Sequence, residues 1–253
     1  IDADGRLRDL STVVDTIGPN EISPRGLNVL ATVEPASLPV VAHSPRLGVP
    51  YVGIGKFVAI GLNYSDHAKE AGMPIPSEPI VFMKAVTCIS GPNDDVVQPK
   101  HSTKLDWEVE LAVVIGTKAQ YVSEKEALSH VAGYCVVNDV SERAFQFATG
   151  QWDKGKGFDT AGPIGPWLVT TDEIPDPQVL DMWLDVNGTR MQTGNTRTMI
   201  FSVATLVAHV SRYMTLLPGD IITTGTPPGV GVARKPPVLL KPGREEPWTP
   251  WRV

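Results

Sequence analysis

Cysteine is scarce in this chain of 253 residues, which contains only Cys88 and Cys135. Two cysteines are too few for the disulfide framework of a small secreted domain. Cys135 also lies in the apolar stretch GYCVV, where a small buried thiol is common. We therefore predict that both thiols are free, which favours a reducing compartment and a cytoplasmic protein.

Long apolar runs and surplus positive charge are missing as well. No stretch approaches the ~18 uninterrupted apolar residues of a membrane helix, and the N-terminus lacks the charged-then-apolar pattern of a signal peptide. The formal net charge is −6, whereas a nucleic-acid-binding surface needs a basic patch. We therefore expect no membrane and no nucleic acid as a partner, but a small molecule or another protein.

The glycine-rich stretches do not complete a nucleotide-binding motif. TGTPPGVG, residues 224–231, lacks the Gly-Lys-Ser/Thr ending of a phosphate-binding loop. GIGKF, residues 53–57, lacks the third glycine of a dinucleotide fingerprint. Both stretches therefore argue against nucleotide binding.

From residue 51 onward the chain consists of short apolar runs separated by glycine and proline. This pattern predicts many short strands and few helices, and Asn187-Gly188 between alternating flanks predicts a β-hairpin. Residues 1–50 mix turn residues with one helix-like patch at 27–33. We predict a small, truncated N-terminal subdomain over 1–50 and a main domain over 51–253.

Three helices are predicted in the main domain, over 65–71, 124–131 and 198–214. The first ends at Gly72 and runs into PIPSEP, whose three prolines exclude regular structure. A short helix suspended between loops is a candidate lid over a binding site.

The stretch DWEVE, residues 106–110, places two glutamates inside an apolar region that predicts one strand over 107–115. Residues two apart on a strand share a face, so Glu108 and Glu110 are predicted to point the same way. On their own they favour a solvated acidic edge. A second apolar run is followed by Asp139, which is predicted to lie in a loop. If the carboxylates of Glu108, Glu110 and Asp139 converge, they need a cation or a proton between them. Such oxygen ligands select Mg²⁺, Mn²⁺ or Ca²⁺ over zinc.

Two further motifs carry groups suited to catalysis. His67 and Glu70 lie three apart on the predicted lid helix and share a face. Such a pair is usually a solvated polar face, but on a lid the carboxylate would orient the imidazole as a base toward water. A zinc site is disfavoured because no second histidine stands at ligand spacing from His67. In DKGKGFDT, Lys156 could approach an anion, although an exposed basic turn is slightly favoured.

The ordered set GLNYSDHAKE, FMK, DWEVELAVVIG, VNDVSER, GKGFDT, NTRTMIF and TGTPPGVG closely resembles the fumarylacetoacetate hydrolase family. The resemblance spans roughly residues 58–243. It implies an α+β, β-rich fold, a mixed β-sandwich roll with few short helices, assembled as a homodimer, with 51–253 as the catalytic domain. It also implies residue roles: metal binding by Glu108, Glu110 and Asp139, with Thr160 nearby; catalysis by His67, Glu70 and Lys156; substrate contact by Arg143, Gln146 and Thr226.

The activity implied by this resemblance is hydrolysis of a carbon-carbon bond in a small 2-oxo acid. We expect an acylpyruvate or a diketo-deoxy sugar acid, cleaved through a pyruvate enolate with Mg²⁺ or Mn²⁺, Ca²⁺ being a further option. Ureidoglycolate lyase and oxaloacetate decarboxylase activities are alternatives, and a catalytically silent, metal-stabilised binding protein is an alternative of another class. The resemblance ends where the segment from Arg244 replaces the family's apolar, acidic last strand; its effect, and that of a missing first strand, on folding and dimerisation stays open.

Overall fold

The structure is a computed structural model that describes residues 1–242. The unusual segment from Arg244 lies outside the described residues. A six-stranded mixed sheet has the strand order β2-β1-β12-β5-β6-β9, and three two-stranded sheets accompany it. The strands are β1 (Phe57–Gly61), β2 (Ile80–Lys84), β3 (Ile89–Ser90), β4 (Leu105–Asp106), β5 (Val109–Ile115), β6 (Val131–Asn138), β7 (Ser141–Glu142), β8 (Gly162–Pro163), β9 (Val169–Thr170), β10 (Asp181–Val186), β11 (Thr189–Asn195) and β12 (Ile221–Thr223).

Strands β5 and β6 lie inside the main sheet, and every residue of both is buried. Leu111 and Val113 pack into one hydrophobic core, whereas Ala112 and Val114 pack into a second core on the opposite face. Burial on both faces explains why these strands read as continuous apolar runs. Polar residues at their ends are therefore conspicuous in the sequence.

The predicted hairpin is confirmed as β10 and β11, which pair antiparallel around Asn187-Gly188. Asn187 has φ of 50° and Gly188 has φ of 70°. A type I′ turn requires a positive φ at both central residues, which is why Asn-Gly is favoured there. The turn matches the twist of the two strands and so fixes their register.

The helices are short: α1 (Pro24–Leu30), α2 (Ser65–Ala71), α3 (Glu124–Ala127), α4 (Arg143–Gln146), α5 (Asp153–Lys156) and α6 (Val203–Tyr213). The helix predicted over 65–71 is confirmed as α2, which ends at Gly72 in the left-handed conformation (φ 65°). The other predicted bounds are too long: α6 starts after its N-cap Ser202, and residues 128–130 form a 3₁₀ turn before β6. The patch predicted at 27–33 lies at 24–30.

The strand predicted over 107–115 is wrong in its first two residues, because their backbone N–H groups donate to side-chain oxygens. The N–H of Trp107 donates to Asp106 Oδ1 at 2.9 Å, and the N–H of Glu108 donates to Asn138 Oδ1 at 3.0 Å. The regular ladder therefore begins only at β5.

Residues 1–50 contain α1, a 3₁₀ turn at Pro35–Ser37 and one isolated bridge between Arg8 and Val40. Ile22 lies in the second core, and Ile17 and Leu27 pack against it. A separate subdomain over these residues stays a prediction. Within the described residues, no helix has the length and apolar character needed to cross a bilayer. Both cysteines are buried and free, as predicted.

Candidate active site

Three carboxylates meet at one end of the β5–β6 pair. The strands are antiparallel with Val109 opposite Asn138, so the start of β5 and the end of β6 lie together. Glu108 and Glu110 flank Val109, and Asp139 follows Asn138. One carboxylate oxygen from each of the three residues lies within 4.8 Å of the others, and all three side chains are buried. The structure thus brings together the residues predicted to bind metal.

Lys156 pairs with two of these carboxylates. Its Nζ lies 2.7 Å from Glu108 Oε2 and 2.7 Å from Asp139 Oδ2. Burial by itself raises the pKa of Glu108, but the charges of Lys156 and Arg143 outweigh it and hold this pKa at about 2. Burial likewise lowers the pKa of Lys156, yet Asp139 and Glu108 raise it above its usual value. Both groups are therefore charged at neutral pH.

Glu110 is paired with no lysine or arginine among residues 1–242. Its Oε2 accepts the backbone N–H of Gly225 at 2.9 Å. Burial, and then the negative charges of Asp139 and Glu108, raise the pKa of Glu110 well above its usual value. A divalent cation would relieve this repulsion, and buried carboxylate oxygens are the ligands that Mg²⁺ and Mn²⁺ prefer. The residues present therefore fit a divalent metal ion.

Lys156 reaches the carboxylates from α5, a single helical turn that the sequence did not predict. Gly155 allows α5 to pack closely on α4, because a Cβ there would lie only 2.4 Å from the backbone nitrogen of Gln146. The Oδ1 atom of Asp153 accepts the N–H of Met83 on β2 at 3.2 Å. Gly155 of DKGKGFDT thus serves helix packing. The exposed basic turn that the sequence slightly favoured is wrong, because Lys156 is buried.

Arg143 and Gln146, both predicted to contact substrate, are bound into the protein. Arg143 Nη1 lies 2.6 Å from Glu108 Oε1, and its Nη2 lies 2.8 Å from Asp106 Oδ2. Burial lowers the pKa of Arg143, but Glu108 and Asp106 more than compensate and raise it. Gln146 Oε1 accepts from Arg143 Nη1 at 3.0 Å, whereas the Gln146 amide nitrogen has no hydrogen-bond partner within the described chain. A substrate role for either residue stays a prediction.

Thr226 is also engaged within the protein. Its hydroxyl donates to the carbonyl oxygen of Val109 at 2.9 Å and accepts from Gln192 Nε2 at 2.8 Å. Gln192 in turn accepts the N–H of Val109 at 2.8 Å. The two side chains therefore hold the start of β5, between the two glutamates. Thr160, predicted near the metal, accepts the N–H of Val97 at 2.8 Å.

The predicted lid helix α2 carries the second polar pair. His67 Nδ1 lies 2.9 Å from Glu70 Oε2, as their spacing predicts. Glu70 Oε1 accepts the backbone N–H of Gly229 at 2.9 Å, which ties α2 to the TPPG turn. After the larger effects of burial, Lys156 and Arg143, the electrostatic effect of His67 lowers the pKa of Glu108 further. The lid pair is thus electrostatically linked to the carboxylates.

Asn63 fastens the base of α2. Its Nδ2 donates to the carbonyl oxygens of Thr224 at 2.9 Å and Phe201 at 3.0 Å, and its Oδ1 accepts the N–H of Phe201 at 2.8 Å. The motifs GLNY, NTRTMIF and TGT, which are distant in sequence, therefore meet at one buried amide. Their joint presence in the chain has a structural cause.

The sequence prediction missed several buried polar residues that support the site, among them Asn63, Lys84, Asp106, Asn138 and Gln192. The available signal was their setting, because polar residues inside apolar runs such as IVFMK must find hydrogen-bond partners when buried. The partners themselves are not visible in the sequence, since they come from other motifs.

The comparisons with known proteins agree with this geometry. The family model described as fumarylacetoacetate (FAA) hydrolase C-terminal matches residues 56–245. A protein of Burkholderia ambifaria, whose name gives hydrolase as a provisional assignment, is 61% identical over 246 residues, which are 96% of this chain and 87% of the relative.

Two solved structures extend the likeness to the fold. Fumarylacetoacetate hydrolase from Exiguobacterium antarcticum is 37% identical, with a TM-score of 0.85, over 95% of this chain and 86% of that chain. Fumarylpyruvate hydrolase from Pseudomonas aeruginosa, in complex with Mn²⁺ and pyruvate, is 29% identical, with a TM-score of 0.67, over 75% of this chain and 88% of that chain. The predicted β-rich α+β fold with few short helices is confirmed. The chain belongs to the fumarylacetoacetate hydrolase family.

Proposed function

We propose that the protein hydrolyses a carbon-carbon bond in an acylpyruvate or a diketo-deoxy sugar acid and releases pyruvate, in a reaction that depends on Mg²⁺ or Mn²⁺. The observation that carries this proposal is a buried carboxylate triad beside a lysine ammonium with a hydrogen-bond donor to spare. Lys156 has three N–H groups, and two of them are directed at Glu108 and Asp139. The third has no acceptor among residues 1–242 and is available to a substrate oxygen.

Charge stabilisation is the first contribution of the site. A divalent ion held by Glu108, Glu110 and Asp139 would act as a Lewis acid toward the oxygens of a 2-oxo acid. Lys156 adds a fixed positive charge and one N–H, which are worth most in a buried site and in the transition state, where the substrate oxygen becomes negative. Because Lys156 is held by two carboxylates before substrate arrives, it needs little reorganisation.

Activation of water is the second contribution. When the Nδ1–H of His67 donates a hydrogen bond to Glu70, the lone pair on Nε2 is free to take a proton from water. The resulting hydroxide adds to the distal carbonyl of the substrate. Cleavage then leaves the bonding electrons on the pyruvyl fragment, which takes up a proton to become pyruvate, while the acyl group leaves as a carboxylic acid. Gly229 fixes Glu70 and so fixes the orientation of the imidazole.

Substrate orientation is the third contribution. The amide nitrogen of Gln146, which has no hydrogen-bond partner among residues 1–242, can donate to a substrate carboxylate, whereas Arg143 and Thr226 contribute by holding Glu108 and the start of β5. The homodimer implied by the resemblance belongs to this proposal, and sedimentation velocity would test it.

The test is pyruvate release from a panel of acylpyruvates, diketo-deoxy sugar acids and oxaloacetate, with Mg²⁺ or Mn²⁺ and again with a chelator. Glyoxylate release from ureidoglycolate is measured alongside. Glu110→Gln is compared with Glu173→Gln, a matched change at an exposed position. Chelator-sensitive pyruvate from the acyl substrates, lost only in Glu110→Gln, supports the proposal. Glyoxylate alone indicates a lyase, pyruvate from oxaloacetate alone indicates a decarboxylase, and inactivity with bound Mn²⁺ indicates a binding protein.

A further inference from the structure

Lys84 is a fully buried lysine that the proposed mechanism does not use. It ends β2, and its side chain is 0% exposed. Its Nζ donates to Asp139 Oδ1 at 2.7 Å, to the carbonyl oxygen of Ala161 at 3.1 Å and to the carbonyl oxygen of Lys156. A buried ammonium is costly unless its donors are satisfied, and here all three have acceptors.

Lys84 and Lys156 share Asp139 but differ in what they have left to offer. Lys84 binds Oδ1 and Lys156 binds Oδ2 of the same carboxylate. Lys156 retains one N–H beyond its two ion pairs, whereas Lys84 retains none. Lys84 therefore cannot donate to a substrate without giving up a protein partner.

The three acceptors of Lys84 show what it holds. The carbonyls of Lys156 and Ala161 stand at the two ends of the segment 156–161. This segment contains Thr160, whose φ of 67° is unusual for a residue with a Cβ. Lys84 thus links both ends of the segment 156–161 to the carboxylate of Asp139, which lies between Lys84 and Lys156.

Neighbouring residues of β2 hold the same element. Phe82 contacts Trp152 edge-on, with ring centroids 5.4 Å apart, and the ring of Phe82 lies 5.4 Å from Lys156 Nζ. The N–H of Met83 donates to Asp153 Oδ1 at 3.2 Å. Strand β2 therefore supports α5. Among the ion pairs of residues 1–242, Lys84 is the only residue of β2 that contacts Asp139.

We propose that Lys84 is a positioning residue that sets Lys156 relative to Asp139 without touching the substrate. The inference rests on the proposed function in that Lys156 stabilises the enolate. The aliphatic chain of methionine resembles that of lysine but carries no charge, so Lys84→Met removes the three contacts with little change in volume. Lys56→Met is the matched control, because Lys56 Nζ also pairs with a buried carboxylate, Asp220 Oδ2 at 2.6 Å, away from the carboxylate triad.

The experiment measures four quantities in each variant: Mn²⁺ affinity, kcat and KM at saturating Mn²⁺, affinity of the Mn²⁺-loaded protein for oxalate, and amide hydrogen exchange in metal-free protein. Oxalate is a planar dianion that resembles the pyruvate enolate. All measurements are made below the melting transition, with folding checked by near-UV circular dichroism. If Lys84→Met does not fold, Lys84→Gln replaces it, since its amide keeps two donors for the carbonyls.

For Lys84→Met we expect kcat to fall by about 100-fold with little change in KM, since a displacement of ~1 Å in a catalytic group can cost that much. Oxalate should bind at least about tenfold more weakly, as expected for a misplaced charge-assisted hydrogen bond. Exchange should accelerate in the segment 156–161. Lys56→Met should match the parent in Mn²⁺ affinity, kinetic constants and oxalate affinity, and in the exchange of the segment 156–161.

Two results would overturn the inference. One is faster exchange in 156–161 with kcat and oxalate affinity unchanged, which would make the contacts structural only. The other is a kcat of Lys84→Met that equals that of the parent at saturating Mn²⁺, which would mean that Lys84 supports metal binding only. If the parent protein releases no pyruvate from any substrate, the proposed function fails, and oxalate affinity alone then decides the inference about Lys84.

Discussion

The surface pair of Arg46, in the N-terminal residues 1–50, and the strands that carry the site use charge in opposite ways. In residues 1–50 the buried positions are Gly18, Ile22 and Leu38, and the ion pair of Arg46 with Asp94 faces solvent: the side chain of Arg46 is 71% exposed. Around the carboxylate triad every charged side chain in an ion pair is at most 8% exposed. The same residue types therefore meet very different dielectric surroundings.

The difference determines whether charges act singly or as a set. An exposed pair gains little because water and salt screen it, so its members are replaceable one at a time. A buried charge loses its hydration and is tolerated only while its partners remain, so removing one member leaves another uncompensated. Asp139 sits between two lysines, and Glu108 sits between Lys156 and Arg143. Removing one site charge should therefore destabilise its partners, whereas removing Arg46 should leave no buried charge uncompensated.

The largest effect is expected for Glu108→Ala. The change removes one proposed metal ligand and leaves Arg143 and Lys156 each without one buried partner, so Mn²⁺ binding and activity should be lost. The free energy of unfolding should fall by about 3–5 kcal/mol, the usual cost of breaking a buried pair. Isothermal titration with Mn²⁺ and chemical denaturation measure the two effects. Unchanged stability would show that the buried charges do not form an interdependent set.

Lys156→Met should also have a large effect, on rate rather than on metal binding. The variant lacks the fixed charge and the free N–H, and the loss of one such donor typically lowers kcat by about 10²–10³. Mn²⁺ should still bind, because the three carboxylates remain. Steady-state kinetics with Mn²⁺ titration tests this; loss of Mn²⁺ binding in step with kcat would argue that Lys156 serves the metal site alone.

His67→Gln should lower kcat by about 10²–10⁴, the range expected when a general base is removed, and should leave Mn²⁺ affinity unchanged. Glu70→Gln keeps one acceptor oxygen, for the N–H of Gly229, but removes the charge and the second oxygen that faces His67. The base itself remains, so its effect should be smaller. The order of the two rates is the informative quantity. If Glu70→Gln were slower than His67→Gln, the carboxylate of Glu70 would matter more than the base.

The parts of the site that the sequence predicted well are local in the chain. His67 and Glu70 meet because residues three apart share a helix face, and the structure places them 2.9 Å apart. Convergence of Glu108 with Asp139 could only be assumed, because it depends on the register of β5 against β6. The family resemblance supplied the grouping that spacing alone could not.

The parts that the sequence did not predict are set by tertiary contacts. Helix α5 is one turn long and would not be stable alone, so no periodic pattern marks it. Its position depends on Gly155 lying against α4 and on Lys84 reaching the carbonyl of Lys156. The break before β5 likewise depends on a side chain from another strand, that of Asn138. Such contacts are absent from any single window of sequence.

Gly61, on β1, and Gly48, in residues 1–50, extend the comparison from charge to packing. A Cβ on Gly61 would lie 2.4 Å from Cζ3 of Trp152, whereas one on Gly48 would meet nothing within 4 Å. Gly61→Ala should therefore lower the free energy of unfolding by about 1–3 kcal/mol through overpacking, and Gly48→Ala should change it by less than about 0.5 kcal/mol. Chemical denaturation measures both. Replacing Trp152 with leucine in the Gly61→Ala background should restore part of the loss, and no recovery would point to the backbone instead.

The smallest effect is expected for Arg46→Ala. Arg46 Nε lies 2.7 Å from Asp94 Oδ1, a geometry as close as that of Lys156 with Asp139, yet it is exposed to solvent. Asp94 keeps the N–H of Gly91 as a donor when Arg46 is lost, so no buried charge is left uncompensated. The Tm and the rate of pyruvate release should match those of the parent at physiological salt. A loss of Tm comparable to that of Glu108→Ala would show that distance, and not burial, decides which charges in this protein depend on one another.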